Sequence, residues 1–228
     1  MKDTEVLRQN NISDADLVAD CRRRSSQARL DLADLQAEGV TAADLDGFDQ
    51  EATAFEKMPS DDALEYARVA LRQTRDAALE AGRSALRTVL SPVRRAYGDT
   101  SPQRKRFRAG RLADANPADV LNLLQDAQSV GTAYLTDPKT TDEGFTQARL
   151  DGLAPAHAAL RTAQQQYLDA DQVRQQGTRA RVLAYNALDT RCAKLCARSY
   201  DHYAEHDATK AKVYVRDPAP AAAAPAGA

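Results

Sequence analysis

Gly39-Val40-Thr41-Ala42-Ala43-Asp44-Leu45-Asp46-Gly47-Phe48 returns later in the chain as Gly144-Phe145-Thr146-Gln147-Ala148-Arg149-Leu150-Asp151-Gly152-Leu153. Six of the ten positions are identical, and the Val/Phe and Phe/Leu exchanges keep apolar character. Each copy reads as punctuation between two helices. The leading glycine closes one helix, because it reaches the left-handed region without a Cβ clash. The threonine then offers a hydroxyl to the unpaired amides of the next helix, and Asp44 completes a capping-box pattern in the first copy. Gly47 and Gly152 fall inside the helices that follow, where glycine is unfavourable, and are expected to mark close helix–helix approach in both copies.

The match gains weight because it stays in register. At the same offset of 105 residues, Leu30 meets Leu135 and Phe55 meets Leu160. At 106, Val89 meets Leu195, Leu90 meets Cys196 and Tyr97 meets Tyr203, while Asp16 and Asp119 align at 103. Collinearity of this kind is the signature of an internal repeat.

Working outward, the apolar positions recur at helical spacing. Ser13 with Asp14 and Asp16 opens a helix carrying Leu17, Cys21, Ala28, Leu32 and Leu35. Leu45, Phe48, Ala52 and Phe55 form one stripe. Ser60-Asp61-Asp62 starts a long helix along Leu64, Leu71, Ala85, Val89 and Tyr97, in which Pro92 must produce a kink or a restart. Asn116-Pro117 opens the second half, Asp137-Pro138 stops its first helix, and a last long helix runs from about Leu168 to Lys210. Hydrophobic residues are 43% of the 228, mostly alanine and leucine, and aromatics are 5% with no tryptophan. This composition favours helix. The sequence therefore predicts an all-α protein, a six-helix bundle built by internal duplication of a three-helix unit with two shorter helices and one long one. The expected segments are an N-terminal arm over 1–11, a first unit over 12–98, a basic linker over 99–115, a second unit over 116–211 and an extended Ala/Pro-rich tail over 212–228.

The start of the chain is polar, with no apolar signal region, and no run is long enough to span a bilayer, so a cytoplasmic protein is expected. The three cysteines, Cys21, Cys192 and Cys196, have no framework spacing. Cys192 and Cys196 align with Leu86 and Leu90, which predicts core packing rather than thiol chemistry. His202 and His206 share one helical face and are the weak metal candidates, though neither half carries the Glu-x-x-His motif of a di-iron bundle. No glycine loop, catalytic triad or paired carboxylate stands out, so neither enzyme activity nor a cofactor is expected.

Charge is uneven: residues 1–60 carry a net −6 and residues 61–111 a net +6. The basic run Arg104, Lys105, Arg106, Arg108 and Arg111, extended back to Arg94 and interleaved with Tyr97 and Phe107, is a candidate interaction surface. The short apolar segment Val213-Tyr214-Val215 is another. The leading expectation is a non-enzymatic structural or interaction protein that self-assembles or packs on a protein partner. The alternatives are nucleic-acid binding through segment 94–111 and a metal-dependent helical-bundle enzyme.

Overall fold

The computed structural model describes residues 7–107 and 112–216. It is mostly helical, with no strand among the described residues. Among these residues no helix is long and apolar enough to cross a membrane.

Helix α1 (Asp14–Leu30) starts where the Ser13 hydroxyl accepts from the Asp16 amide. A single turn, α2 (Leu32–Leu35), and a 3-10 turn end at Gly39. Helices α3 (Ala42–Glu56), α4 (Asp61–Tyr97) and α5 (Pro102–Lys105) follow. The rest comprises α6 (Pro117–Gly131), α7 (Pro138–Asp142), α8 (Gln147–Asp151), α9 (Leu153–Ala204) and α10 (Ala208–Val213).

The two punctuation stretches close alike. Gly39 and Gly144 have φ of 76° and 82°. The Val40 amide donates to the Leu35 carbonyl at 3.2 Å, and the Phe145 amide to the Thr140 carbonyl at 2.9 Å. Thr41 and Thr146 each accept from the amide three residues on. In the first copy Asp44 completes the capping box. In the second, Arg149 takes that place and reaches the Thr88 carbonyl at 3.1 Å. That carbonyl is the one Pro92 cannot bond, because proline has no amide hydrogen. Helix α4 thus continues through Pro92 with its orphan acceptor satisfied from outside.

The chain divides into two compact units, though not at the expected boundaries. One unit takes the chain up to Asp61 and from Gln175 onward, and the other is Asp62–Arg174. The basic segment lies inside the second unit and does not separate two domains. The reason is the partner each long helix finds. In the Asp62–Arg174 unit, Leu86, Val89, Leu90 and Val93 of α4 pack with Val120, Leu124 and Ala127 of α6, Leu150 of α8 and Leu153 and Leu160 of α9. In the other unit, Tyr185, Leu188, Cys192 and Cys196 of α9 pack with Leu17, Val18 and Cys21 of α1 and Phe48, Ala52 and Phe55 of α3. Each long helix covers the shorter helices of the opposite sequence half.

Three further expectations are corrected. Residues 7–12 are not a loose arm: Asn186 bonds the Gln9 amide and the Leu7 carbonyl, and the Tyr185 hydroxyl donates to Asn10 and Ile12. Val213-Tyr214-Val215 is not an extended apolar segment, because Val213 ends α10 and Tyr214 is buried, with only its two neighbours exposed. The tail beyond Arg216 lies outside the described residues. The motif glycines also differ from each other. Gly47 makes room for the Arg191 guanidinium, whereas Gly152 ends α8. Close helix packing falls instead to Gly82, where a Cβ would sit 3.1 Å from Val120, and Gly131, where it would sit 2.5 Å from Leu150.

Tyr214 anchors its unit through polar contacts as well. Its ring stacks on Tyr203 at 6.1 Å, and its hydroxyl donates to buried Asp31 at 2.7 Å. Burial raises the Asp31 carboxyl, but hydrogen bonds from Gln27, Tyr214 and Lys210 outweigh it and leave the group below the usual aspartate value.

Three substitutions probe this packing. Gly131→Ala is expected to destabilise the protein by about 1–3 kcal/mol in urea denaturation, because the Leu150 side chain that must shift is buried in the core. Gly47→Ala, which meets only the end of a flexible arginine, is expected to be neutral or stabilising by up to about 1 kcal/mol. Tyr214→Phe is expected to cost about 1–2 kcal/mol at pH 7. Because folding depresses the Asp31 pKa, the stabilisation is complete above the unfolded value of about 3.9 and is lost as pH falls through the lower folded value. The difference between wild type and Tyr214→Phe is therefore expected to shrink below about pH 4, read from urea midpoints across an acid titration.

Candidate anion-binding site

Within the Asp62–Arg174 unit, the segment after α4 is held in four steps. Gly98, with φ of 83°, ends α4. The Ser101 hydroxyl accepts from the Arg104 amide at 3.1 Å and donates to the Gly98 carbonyl at 2.9 Å, which sets the single turn of α5. The Tyr134 hydroxyl donates to the Gln103 carbonyl at 3.3 Å. Phe107 is fully buried, its ring 5.5 Å from that of Tyr134. On the far side, Arg83 donates to the Ala115 carbonyl at 2.6 Å and fixes the 3-10 turn Leu112–Asp114.

These anchors leave a cavity of about 490 Å³ lined by Arg87, Leu90, Ser91, Arg94, Asp99, Arg104, Leu112 and Ala113. Three guanidiniums share it with one carboxylate. Arg87 is partly neutralised by Glu80 at 2.8 Å. Arg94 stands 4.0 Å from Asp99, at the outer limit of an ion pair. The Arg104 Nε is buried, with no hydrogen-bond partner among the described residues. Burial lowers the Arg104 guanidinium from its usual value, Asp99 works in the opposite direction, and the neighbouring charge of Arg94 lowers it further. A desolvated cation beside a second cation favours an incoming anion.

A second basic cleft, in the other unit, has different electrostatics. It spans about 590 Å³ and is lined by Arg23, Arg24, Gln27, Lys212, Val213 and Val215. Arg24 is buried there but already engaged: its Nε is 3.1 Å from Asp20, and its Nη2 donates to the Val215 carbonyl at 3.0 Å. Arg216 adds contacts to Asp189 at 2.7 Å and to Asp20 at 3.4 Å.

The basic run from the sequence is thus divided among roles. Arg95 is structural, donating to Glu143 and to its carbonyl. Arg94 and Arg104 enter the cavity, and Lys105 and Arg106 are exposed. Arg108 and Arg111 lie outside the described residues. Phe107 is core and not available to stack on bases, and Tyr97 is half-buried with its hydroxyl donating to Asp137. Arg87 and Asp99 were missed by sequence reasoning. The signal for Arg87 was its seven-residue spacing from Arg94, which returns both to one helical face across Pro92.

His202 Nδ1 lies 3.3 Å from Glu38, and the His206 ring lies 6.3 Å from that of His202. No group of three or more His, Cys, Asp or Glu side chains placed to hold a metal ion occurs among the described residues. The cysteines converge instead: Cys21, Cys192 and Cys196 share one core and are free thiols. A hydrogen bond received from the Cys196 thiol works to lower the Cys192 pKa, but the hydrogen bond to Cys21 and burial prevail and push it up to about 12. Cys196 is raised by its bond to Cys192 and by burial.

No protein-family model matches the chain, and neither a curated protein nor a solved structure matches it.

The buried thiols have a direct readout. All three cysteines are expected to resist a thiol-specific chromogenic reagent at pH 8 in the folded protein and to react fully in denaturant, since the thiolate is the reactive form. Rapid modification of the native protein would contradict the burial and the raised pKa values.

Proposed function

We propose that this protein is a non-enzymatic helical binding module whose arginine-lined cavity receives an anionic group. The observation that carries the reading is a cavity lined by Arg87, Arg94 and Arg104 with Asp99 as the one carboxylate among its lining residues, beside a buried Arg104 Nε that has no hydrogen-bond partner among the described residues. An arginine in such a setting offers a planar fork matched to phosphate or carboxylate oxygens.

The same reading takes the chain as an internal duplication, and the duplication bears on the site. The matched glycine caps, the matched threonine caps and the reciprocal packing of the long helices support it. Phe107 and Tyr214 are each buried just beyond a long helix, at an offset of 107 residues. The cavity charges do not repeat. At the offset of 106 residues, Arg87 corresponds to Ala193, Arg94 to Tyr200 and Arg104 to Lys210. Lys210 is already paired with Asp31 at 3.1 Å and Asp34 at 3.3 Å. The matched positions of the other half do without these three arginines, which supports a role for them beyond the shared framework.

Two other readings rank below this one. Nucleic-acid binding retains exposed Arg94, Lys105 and Arg106 among the described residues of the basic run, while Arg95 is paired with Glu143, Phe107 is core and Tyr97 is half-buried. Self-association is favoured by a different observation: α4 buries no side chain from Asp61 to Ala81, and Tyr66, Val69, Leu168 and Val173 are exposed.

Inorganic phosphate is expected to raise the melting temperature relative to chloride at matched ionic strength, by roughly 2–4 °C for each kcal/mol of binding linkage. Arg104→Ala and Arg94→Ala are each expected to reduce that shift by more than half. Equal melting temperatures in phosphate and chloride would overturn the reading. A single-stranded oligonucleotide that binds Arg104→Ala as well as wild type would favour the exposed basic surface instead.

A further inference from the structure

We propose that the anion bound in this cavity is the single charged end of a molecule with an apolar body, a phosphomonoester of an alkyl or aryl alcohol. This rests on the anion-binding reading above. Three features of the cavity carry it further.

The first is size. A volume of about 490 Å³ far exceeds what one phosphate group fills. It lies within the range of about 300–1,000 Å³ that encloses a drug-sized molecule. An inorganic ion satisfies the guanidiniums and leaves most of the space to water.

The second is the lining. Leu90, Leu112 and Ala113 contribute apolar surface on both walls, and Leu90 itself belongs to the hydrophobic core. The arginine stems add methylene surface beneath their charged ends. The Ser91 hydroxyl already accepts from Arg95 at 2.8 Å. The polar recognition is therefore concentrated at the guanidiniums, and the remaining wall suits hydrocarbon.

The third is the placement of Asp99. It lines the same cavity and stands 4.0 Å from Arg94. A ligand with several phosphates brings a further negative charge toward that carboxylate, which like-charge repulsion disfavours. One anionic group held by Arg94 and Arg104 avoids it. This selects a monoester over a polyphosphate or a nucleic-acid backbone.

The test is calorimetric titration of the full chain with inorganic phosphate, then with ethyl, butyl, hexyl and phenyl phosphate, at constant ionic strength. The dissociation constant is expected to fall about threefold to fourfold per added methylene until the cavity is filled. Pyrophosphate is expected to bind no more tightly than inorganic phosphate. Ala113→Leu, which fills apolar space without touching a charge, is expected to flatten the chain-length series and leave inorganic phosphate binding unchanged. Phosphate binding with no dependence on chain length overturns the apolar-body inference and leaves the anion site standing. A series that binds neither phosphate nor any ester overturns both. A chain-length gradient that persists unchanged in Arg104→Ala places the alkyl groups elsewhere on the protein and also overturns the inference.

Discussion

Two short helices with one apolar stripe each cannot bury both stripes against each other and still exclude water on the open side. In this protein a long helix closes that side, and it comes from the far half of the sequence. Phe48 and Phe55 on α3 find Tyr185, Leu188 and Cys192 on α9, with the Phe55 and Tyr185 rings meeting edge to face at 6.1 Å. Val120, Leu124 and Ala127 on α6 find Leu86, Val89 and Leu90 on α4. Aromatic side chains of this kind bury about 150–250 Å² each, so these contacts dominate the energetics of either unit. The caps, turns and ion pairs act on helices whose position this burial has already set.

The closing segments follow from the same constraint. A long helix that ends over a core leaves a gap at its last turn, and in each unit an aromatic side chain fills it. Phe107 does so with no polar group, whereas Tyr214 brings a hydroxyl that finds Asp31. The consequence for neighbouring charges differs. Beside Tyr214, Lys210 is drawn into the Asp31 and Asp34 carboxylates and lies 4.8 Å from the Tyr203 ring. Beside Phe107, Asp99 attracts half-buried Arg104 by charge without bonding its Nε, which is left without a partner among the described residues. A buried aromatic thus neighbours a sealed polar cluster in one unit and a charged cavity in the other.

Much of this was legible in residue order. The glycine and threonine caps, the stripes of α3 and α6 and the burial of Cys192 and Cys196 follow from spacing, because helical period and capping chemistry are local properties. What could not be read was the partner of each stripe. Val89 and Cys192 announce that they are buried without saying against what, and the compact units do not follow the segments expected from sequence order. Tyr214 was misjudged for a related reason: a three-residue apolar run is too short to show a period, so its helical turn was invisible. The arginine cavity was half visible. Arg94 and Arg104 lay in the basic run, while Arg87, Asp99 and Leu112 join them only through the Gly98 turn and the Phe107 anchor.

The interleaving of the two halves also orders events in time. Residues 62–174 form their unit from one unbroken stretch, so every part of that core is present once Arg174 has been made. The helices before Asp61 emerge first and wait longest, because Tyr185, Leu188 and Cys192 are synthesised only after that entire stretch. At typical translation speeds of about 5–20 residues per second, the wait is on the order of ten seconds. Through that interval Leu17, Phe48 and Phe55 have no lid, and the nascent N-terminal pair is a sticky, half-finished surface. Its escape from aggregation depends on what shields it at the ribosome, a demand set by chain connectivity and not by the stability of the finished fold.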